Sequence, residues 1–124
     1  MTAAARRPFA HEAVLSLGSG TDDRAAGGAI TTALCGSWSH EPPCPLAPHH
    51  TAVERTGDTL RVRVLFTAAP EDEPRVRSLV EGVLAAGGTE GPDGVRAAWR
   101  LVEAGPSAVR AEEQEHAERL VAAP

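Results

Sequence analysis

Residues 51–66 read TAVERTGDTLRVRVLF, and this stretch contains the clearest structural signal in the chain. Apolar residues at positions 60, 62, 64 and 66 alternate with Arg61 and Arg63, which is the period of a strand with one buried face. The tetrapeptide Thr56-Gly-Asp-Thr59 combines glycine with aspartate, as tight turns between antiparallel strands do. We therefore predict a β-hairpin whose arms are residues 51–55 and 60–66.

The segment after the hairpin predicts an amphipathic helix. The acidic residues of Pro70-Glu-Asp-Glu-Pro74 lie in its first turn, where they complement the positive end of the helix dipole. Five apolar residues then recur at the spacing of one helix face: Val76, Leu79, Val80, Val83 and Leu84. The pair Gly87-Gly88 ends this pattern.

Weaker patterns predict the remaining elements. We expect strands at residues 13–17, 29–38 and 95–101, an exposed loop at 18–28, and a last helix from an N-cap at Ser107 to about Ala122 with Ala117, Leu120 and Val121 inward. Gly105-Pro-Ser107 is predicted to end the last strand. Together these elements predict a single α+β domain at 11–124 that follows a flexible segment at 1–10. Its mostly antiparallel sheet has four to five strands, with two helices packed on one face.

The composition indicates a globular protein and argues against several functions. A chain of 124 residues with 42% hydrophobic residues is long enough to form one domain with its own core. The net charge of -5 argues against nucleic acid as a partner, because proteins that bind phosphate backbones present a basic face. No apolar run approaches the roughly 20 residues of a membrane span, and the N-terminus lacks a complete export signal. We therefore expect a cytoplasmic protein that does not enter a membrane, with its two cysteines as thiols.

Both cysteines and three of the five histidines lie within residues 35–50, CGSWSHEPPCPLAPHH. Thiolate and imidazole are the ligands that zinc and similar metal ions prefer. We predict a zinc site whose ligands are Cys35, His40, Cys44 and one of His49 or His50. The spacing is not that of a zinc finger, so the prediction depends on composition. The prolines of this segment restrict the unfolded chain and lower the entropy lost on binding.

The predicted site has two forms. Four ligands give a closed, structural zinc site, which is the form we favour. If the strand at 29–38 continues through Ser39, however, Cys35 and His40 point to opposite faces. The site then opens to His40, Cys44 and one further histidine, with water in the fourth position. Neighbouring histidines also diverge in an extended chain, so we expect only one of His49 and His50 to coordinate, and we favour His50.

Two other functions fit the same residues. One is a metal-free interaction or accessory module, in which Cys35 is a small buried residue and the sheet edge or the last helix contacts a protein partner. The other is a small enzyme whose 35–50 loop covers an active pocket, with His40 and Glu41 as acid and base. On the last helix, Glu113 and His116 have the spacing of di-iron ligands, but the further carboxylates of such a site are missing from the pattern. We expect these two residues to belong to a solvated charged face.

Overall fold

The fold is given by a computed structural model that describes residues 6–18, 21–35, 47–90, 94 and 96–122. The strands are β1 (Arg7–Leu17), β2 (His49–Thr56), β3 (Thr59–Ala68), β4 (Gly88–Glu90) and β5 (Arg96–Ser107). The helices are α1 (Ala25–Cys35), α2 (Glu73–Ala85) and α3 (Gln114–Ala122). Short 3-10 turns at Pro70–Asp72 and Ala111–Glu113 precede α2 and α3.

The five strands form one antiparallel sheet in the order β2-β3-β1-β5-β4. The succession β1-α1-β2-β3-α2-β5, with β1 between β3 and β5, is the ferredoxin-like split β-α-β arrangement. The short strand β4 extends this sheet at the β5 edge. The predicted α+β class with an antiparallel sheet is therefore confirmed, and the sheet has five strands within the described residues.

The main core lies between the sheet and two helices, α1 and α2. Alternate residues of β1 and β3 point to this side of the sheet, as the period of a strand requires. Its buried members include Leu15, Leu60, Phe66, Ile30, Leu34, Val76, Val80 and Leu84. Helix α3 packs against the opposite face, where the Thr67 hydroxyl donates a hydrogen bond to the Leu120 carbonyl at 3.4 Å. Two helices do share one face, but they are α1 and α2 rather than the two helices predicted from the sequence.

The predicted hairpin and the helix that follows it are both present. β2 and β3 pair from His49 opposite Phe66 to Thr56 opposite Thr59, so the arms are slightly longer than predicted. Gly57 has a φ of 60°, as the first central residue of a type II′ turn requires. In α2, Val76, Val80 and Leu84 are buried on the face that the spacing predicted.

The prediction of a strand at residues 29–38 is wrong, because residues 25–35 form helix α1. Ala26, Ala29, Ile30 and Leu34 are all buried, and their spacing places them on one side of a helix. The predicted loop at 18–28 is therefore shorter, since its last four residues belong to α1. Residues 36–38 lie outside the described part of the chain.

β1 and β5 are both longer than predicted. β1 begins at Arg7, so Arg7–Ala10, which we assigned to a flexible segment, are strand residues and Ala10 is buried. β5 continues through Gly105 and Pro106 to Ser107. Proline is tolerated there because β4 pairs only with residues 96–98, so the later part of β5 lies at an edge of the described sheet.

The last helix begins later than predicted. Ser107 belongs to β5 and is not an N-cap, and α3 starts at Gln114 after a 3-10 turn. Ala117 is buried as predicted, whereas Val121 is 36% exposed and does not point inward. Across the described residues, none of the helices has the length and apolar character needed to cross a membrane.

Candidate metal centre

The imidazole of His49 is held by hydrogen bonds on both ring nitrogens. Nδ1 lies 3.1 Å from the carbonyl oxygen of Ala47, and because a carbonyl only accepts, Nδ1 carries the proton. In the neutral ring Nε2 is then an acceptor, and the Thr31 hydroxyl donates to it at 3.1 Å. Metal-binding histidines are typically oriented in this way, with the N–H of the other ring nitrogen donated to a backbone carbonyl.

Cys35 is the last residue of α1, four residues after Thr31. Slightly more than one helical turn separates these two residues, a rise of about 6 Å along the axis. Because Thr31 contacts His49, the last turn of α1 and the first residue of β2 lie side by side. The two ends of the segment that contains His40 and Cys44 therefore come together on the α1 side of the sheet. His40 and Cys44 themselves lie outside the described residues.

The structure removes one argument against a closed site. The opposing directions of Cys35 and His40 followed from a strand that continued through Ser39. Cys35 instead ends a helix, so the period-2 alternation of a strand does not relate these two residues. No sequence pattern indicated the contact between Thr31 and His49, because residues 29–38 were predicted to be a strand rather than a helix.

His50 lies on the other face of the sheet, beside α3. Its ring is 4.6 Å from the ring of His116, centroid to centroid. Partial burial lowers the pKa of His50, the neighbouring His116 lowers it further, and Glu113 opposes both effects. The predicted divergence of His49 and His50 is thus confirmed, and it is His49 that lies beside α1.

The described residues contain no complete metal site. Within them, no three His, Cys, Asp or Glu side chains lie close enough together to hold a metal ion. This includes Glu113 and His116, whose spacing resembles that of di-iron ligands. The donors that could complete a site around His49 are those of the segment between α1 and β2.

A second group of ionisable residues lies between β1 and α2, around the buried side chain of His11. His11 is 1% exposed, and its Nδ1 accepts a hydrogen bond from Arg77 Nη1 at 2.9 Å. Its Nε2 lies 2.8 Å from Glu81 Oε2. Arg77 also pairs with Glu73 and lies over the ring of Phe66. The Arg77–Glu73 pair lies within α2, and the other contacts join α2 to the sheet, which indicates a structural role.

The buried His11 predicts how folding stability depends on pH. Burial lowers the pKa of His11 and Arg77 lowers it further, although Glu81 opposes them. As the pH falls, His11 is therefore protonated in the unfolded chain before it is protonated in the folded one. The stability that depends on neutral His11 is complete above about pH 6.5 and is lost as the pH falls below this value. Between about pH 7.5 and about pH 5.5 we expect His11→Gln to remove about 1 kcal/mol of pH-dependent stability, measured by urea unfolding. His50→Gln is the control, with a smaller effect because His50 is exposed; an unchanged pH dependence in His11→Gln contradicts the prediction.

No protein-family model and no curated protein matches this sequence. The function must therefore be inferred from the chemistry of the residues. The most informative contact for that purpose is the one between His49 and α1.

Proposed function

We propose that this protein binds one zinc ion, or a similar thiophilic divalent metal ion, through Cys35, His40, Cys44 and His49. The observation that carries this proposal is the orientation of His49. Its Nδ1 proton is donated to the Ala47 carbonyl, so Nε2 is the nitrogen that would bind a metal ion, in place of the hydrogen bond that it accepts from the Thr31 hydroxyl. His49 replaces His50, the residue favoured by the sequence, because His50 lies on the opposite face of β2.

The positions of Cys35 and His49 support a shared site. Cys35 ends α1 and His49 begins β2, and the contact between Thr31 and His49 brings these two ends together. His40 and Cys44 belong to the segment that connects them. A metal ion bound by all four would fasten this proline-rich segment to the domain.

The donor set favours a structural role for the metal ion. Two thiolates and two imidazoles complete a tetrahedral zinc site and leave no position for substrate. The reducing conditions of the cytoplasm, where we place the protein, would keep both thiols available as ligands. The enzyme alternative depends on His40 and Glu41, which lie outside the described residues. The interaction alternative is favoured by a different feature, the edge of β2 that no other described strand pairs with.

The adjacent histidines provide a matched test of the zinc proposal. The purified protein is loaded with zinc, dialysed and assayed for bound metal by elemental analysis. We expect one zinc ion per chain in the wild type and in His50→Gln, and loss of zinc in His49→Gln and Cys44→Ser. Chelation should lower the melting temperature, since zinc at about 100 times its Kd stabilises the fold by about 3 kcal/mol.

The design separates metal binding from folding. His49→Gln also loses the contact with Thr31, so the stoichiometry of zinc, rather than the melting temperature, is the deciding measurement. Cobalt(II) in place of zinc adds a spectroscopic test, because thiolate ligands give an absorption band that Cys35→Ser and Cys44→Ser would each weaken. A wild-type protein that retains no zinc, or a His49→Gln variant that retains it fully, overturns the proposal.

A further inference from the structure

The outer edge of β2 is open in the described part of the chain. The sheet order places β2 at an edge. The Thr67 N–H donates to the carbonyl of Pro48, the residue before β2, at 3.0 Å, so Pro48 lies at a hydrogen-bonded position that continues the β2–β3 register. Because such positions alternate along antiparallel strands, the N–H and C=O groups of Thr51 and Val53 point away from β3. No other described residue forms a backbone hydrogen bond with them.

This edge lacks the usual protection against pairing. Edge strands are commonly protected by charged side chains, proline or bulges. In β2 the residues from His49 to Val53 carry no permanent charge, and Glu54 and Arg55 occur only toward the turn. The Arg55 side chain donates to the carbonyl oxygens of Thr21 and Gly18, so it is held at the turn end of the strand.

A groove runs along this edge between β2 and α1. It has a volume of about 290 Å³. Its lining includes Arg24, which immediately precedes α1, Gly27 and Thr31 of α1, and Thr51 and Val53 of β2. Gly27 has no side chain that would narrow the groove, whereas a Cβ at this position would contact Thr51 Cγ2 at 3.5 Å. The groove is thus bounded by a helix on one side and by outward-facing backbone groups on the other.

Two polar groups in the groove have no partner within the described structure. The hydroxyl of Thr51 is buried and has no hydrogen-bond partner there. Arg24 is exposed, and its guanidinium forms no ion pair with any described residue. A cation beside unpaired strand groups is complementary to an extended chain that carries an acidic side chain.

We propose that this groove binds an extended, acidic segment of a partner protein, which adds a strand to β2. The backbone of the segment pairs with the outward groups of Thr51 and Val53. One of its acidic side chains binds Arg24. Strand addition of this kind obtains affinity from main-chain hydrogen bonds and specificity from alternate side chains. The groove adjoins the proposed zinc ligand His49, which also lines it. The strand addition itself depends on Arg24, Thr51 and Val53 and on none of the proposed metal ligands.

Proline substitution tests the pairing without breaking the sheet. Thr51→Pro removes an N–H that points away from β3, so the β2–β3 ladder keeps all its hydrogen bonds. Thr51→Val is the matched control, because it keeps the N–H and the branched shape and removes only the hydroxyl, which the proposed backbone pairing does not use. Both variants should match the wild type in circular dichroism. The probe is a displayed library of linear peptides, about six residues long and randomised at every position.

We expect the library to yield peptides with an acidic residue that bind the wild type and Thr51→Val. Thr51→Pro should weaken their binding by at least about fivefold, the equivalent of one lost hydrogen bond. Arg24→Gln should weaken it by about tenfold, whereas Arg61→Gln, an exposed arginine on the other face, should not. Bound peptide should slow amide exchange at Thr51 and Val53.

Several results would overturn the proposal. The first is a library that yields no peptide, or peptides that bind Thr51→Pro as tightly as the wild type. The second is a dimer that Thr51→Pro dissociates, because the edge would then pair with a second copy of the chain. The third is slow amide exchange at Thr51 and Val53 in the free monomer, because the edge would then be covered by the chain itself.

Discussion

Arg63→Met is expected to lower the free energy of unfolding by about 3–5 kcal/mol, because it leaves carboxylates without their counter-charge. Arg63 is 8% exposed on the sheet face that α3 covers. Its guanidinium binds Glu113 with two hydrogen bonds, of 2.6 and 2.8 Å. It also donates to Glu12 at 2.8 Å, to Ser107 at 2.8 Å and to the Ala108 carbonyl at 2.7 Å. One side chain therefore joins β1, β5 and the turn before α3.

The pKa of Glu113 supports this magnitude. The hydrogen bonds from Arg63 are the main cause that holds this pKa at about 2, below the ordinary value of 4.5. A difference of this size corresponds to about 3 kcal/mol of stability. Because the folded-state pKa is lowered, the contribution is present above about pH 4.5 and is lost as the pH falls toward 2.

Urea unfolding of Arg63→Met and Arg61→Met checks this prediction. Arg61 points to the same face but is exposed and forms no ion pair with any described residue, so Arg61→Met should change stability by less than about 0.5 kcal/mol. The double variant Arg63→Met with Glu113→Gln should recover part of the loss, because it removes the orphaned charge. A loss below about 1 kcal/mol in Arg63→Met would show that this network does not hold α3 to the sheet.

The sequence predicted correctly those elements whose hydrophobic pattern matches the burial of their side chains in the folded protein. In the hairpin, Leu60, Val62, Val64 and Phe66 alternate because one face of β3 meets α1 and α2 and the other does not. In α2 the spacing of the apolar residues and the glycines that follow them both predict the same helix. The divergence of His49 and His50 followed from strand geometry alone, and the structure confirms it.

The sequence was misleading where local propensity and tertiary packing disagree. Residues 25–35 include Gly27-Gly28 and Thr31-Thr32, which are weak helix formers, and no charged residue marks an outer face. Their helical spacing was therefore hidden, although packing against α2 and the sheet buries Ile30 and Leu34. Pro106 suggested that β5 ends before it. The strand continues because this part of β5 lies at an edge of the described sheet, and the order of strands that creates this edge is not visible in the sequence. The partners of Arg63 come from distant parts of the chain, so no local pattern indicates them.

Ile30→Ala is expected to destabilise the protein by about 2–5 kcal/mol, whereas Thr32→Ala should stabilise it by about 0.5 kcal/mol. Ile30 is fully buried in the main core, so truncation leaves a cavity between α1, α2 and the sheet. Thr32 is exposed, and its hydroxyl only donates back to the Gly28 carbonyl at 3.1 Å. Such a bond within one helix adds little stability, and alanine is the stronger helix former.

These two substitutions distinguish the helix at residues 25–35 from the strand that the sequence predicted. In a strand, Ile30 and Thr32 would point to the same face, so both substitutions would remove contacts on that face. In α1 they differ by two positions, about 200° around the axis, and only Ile30 meets the core. Urea unfolding of the two variants decides between these structures. A loss of more than about 1 kcal/mol in Thr32→Ala would contradict the helix, and with it the contact between α1 and His49 on which the zinc proposal depends.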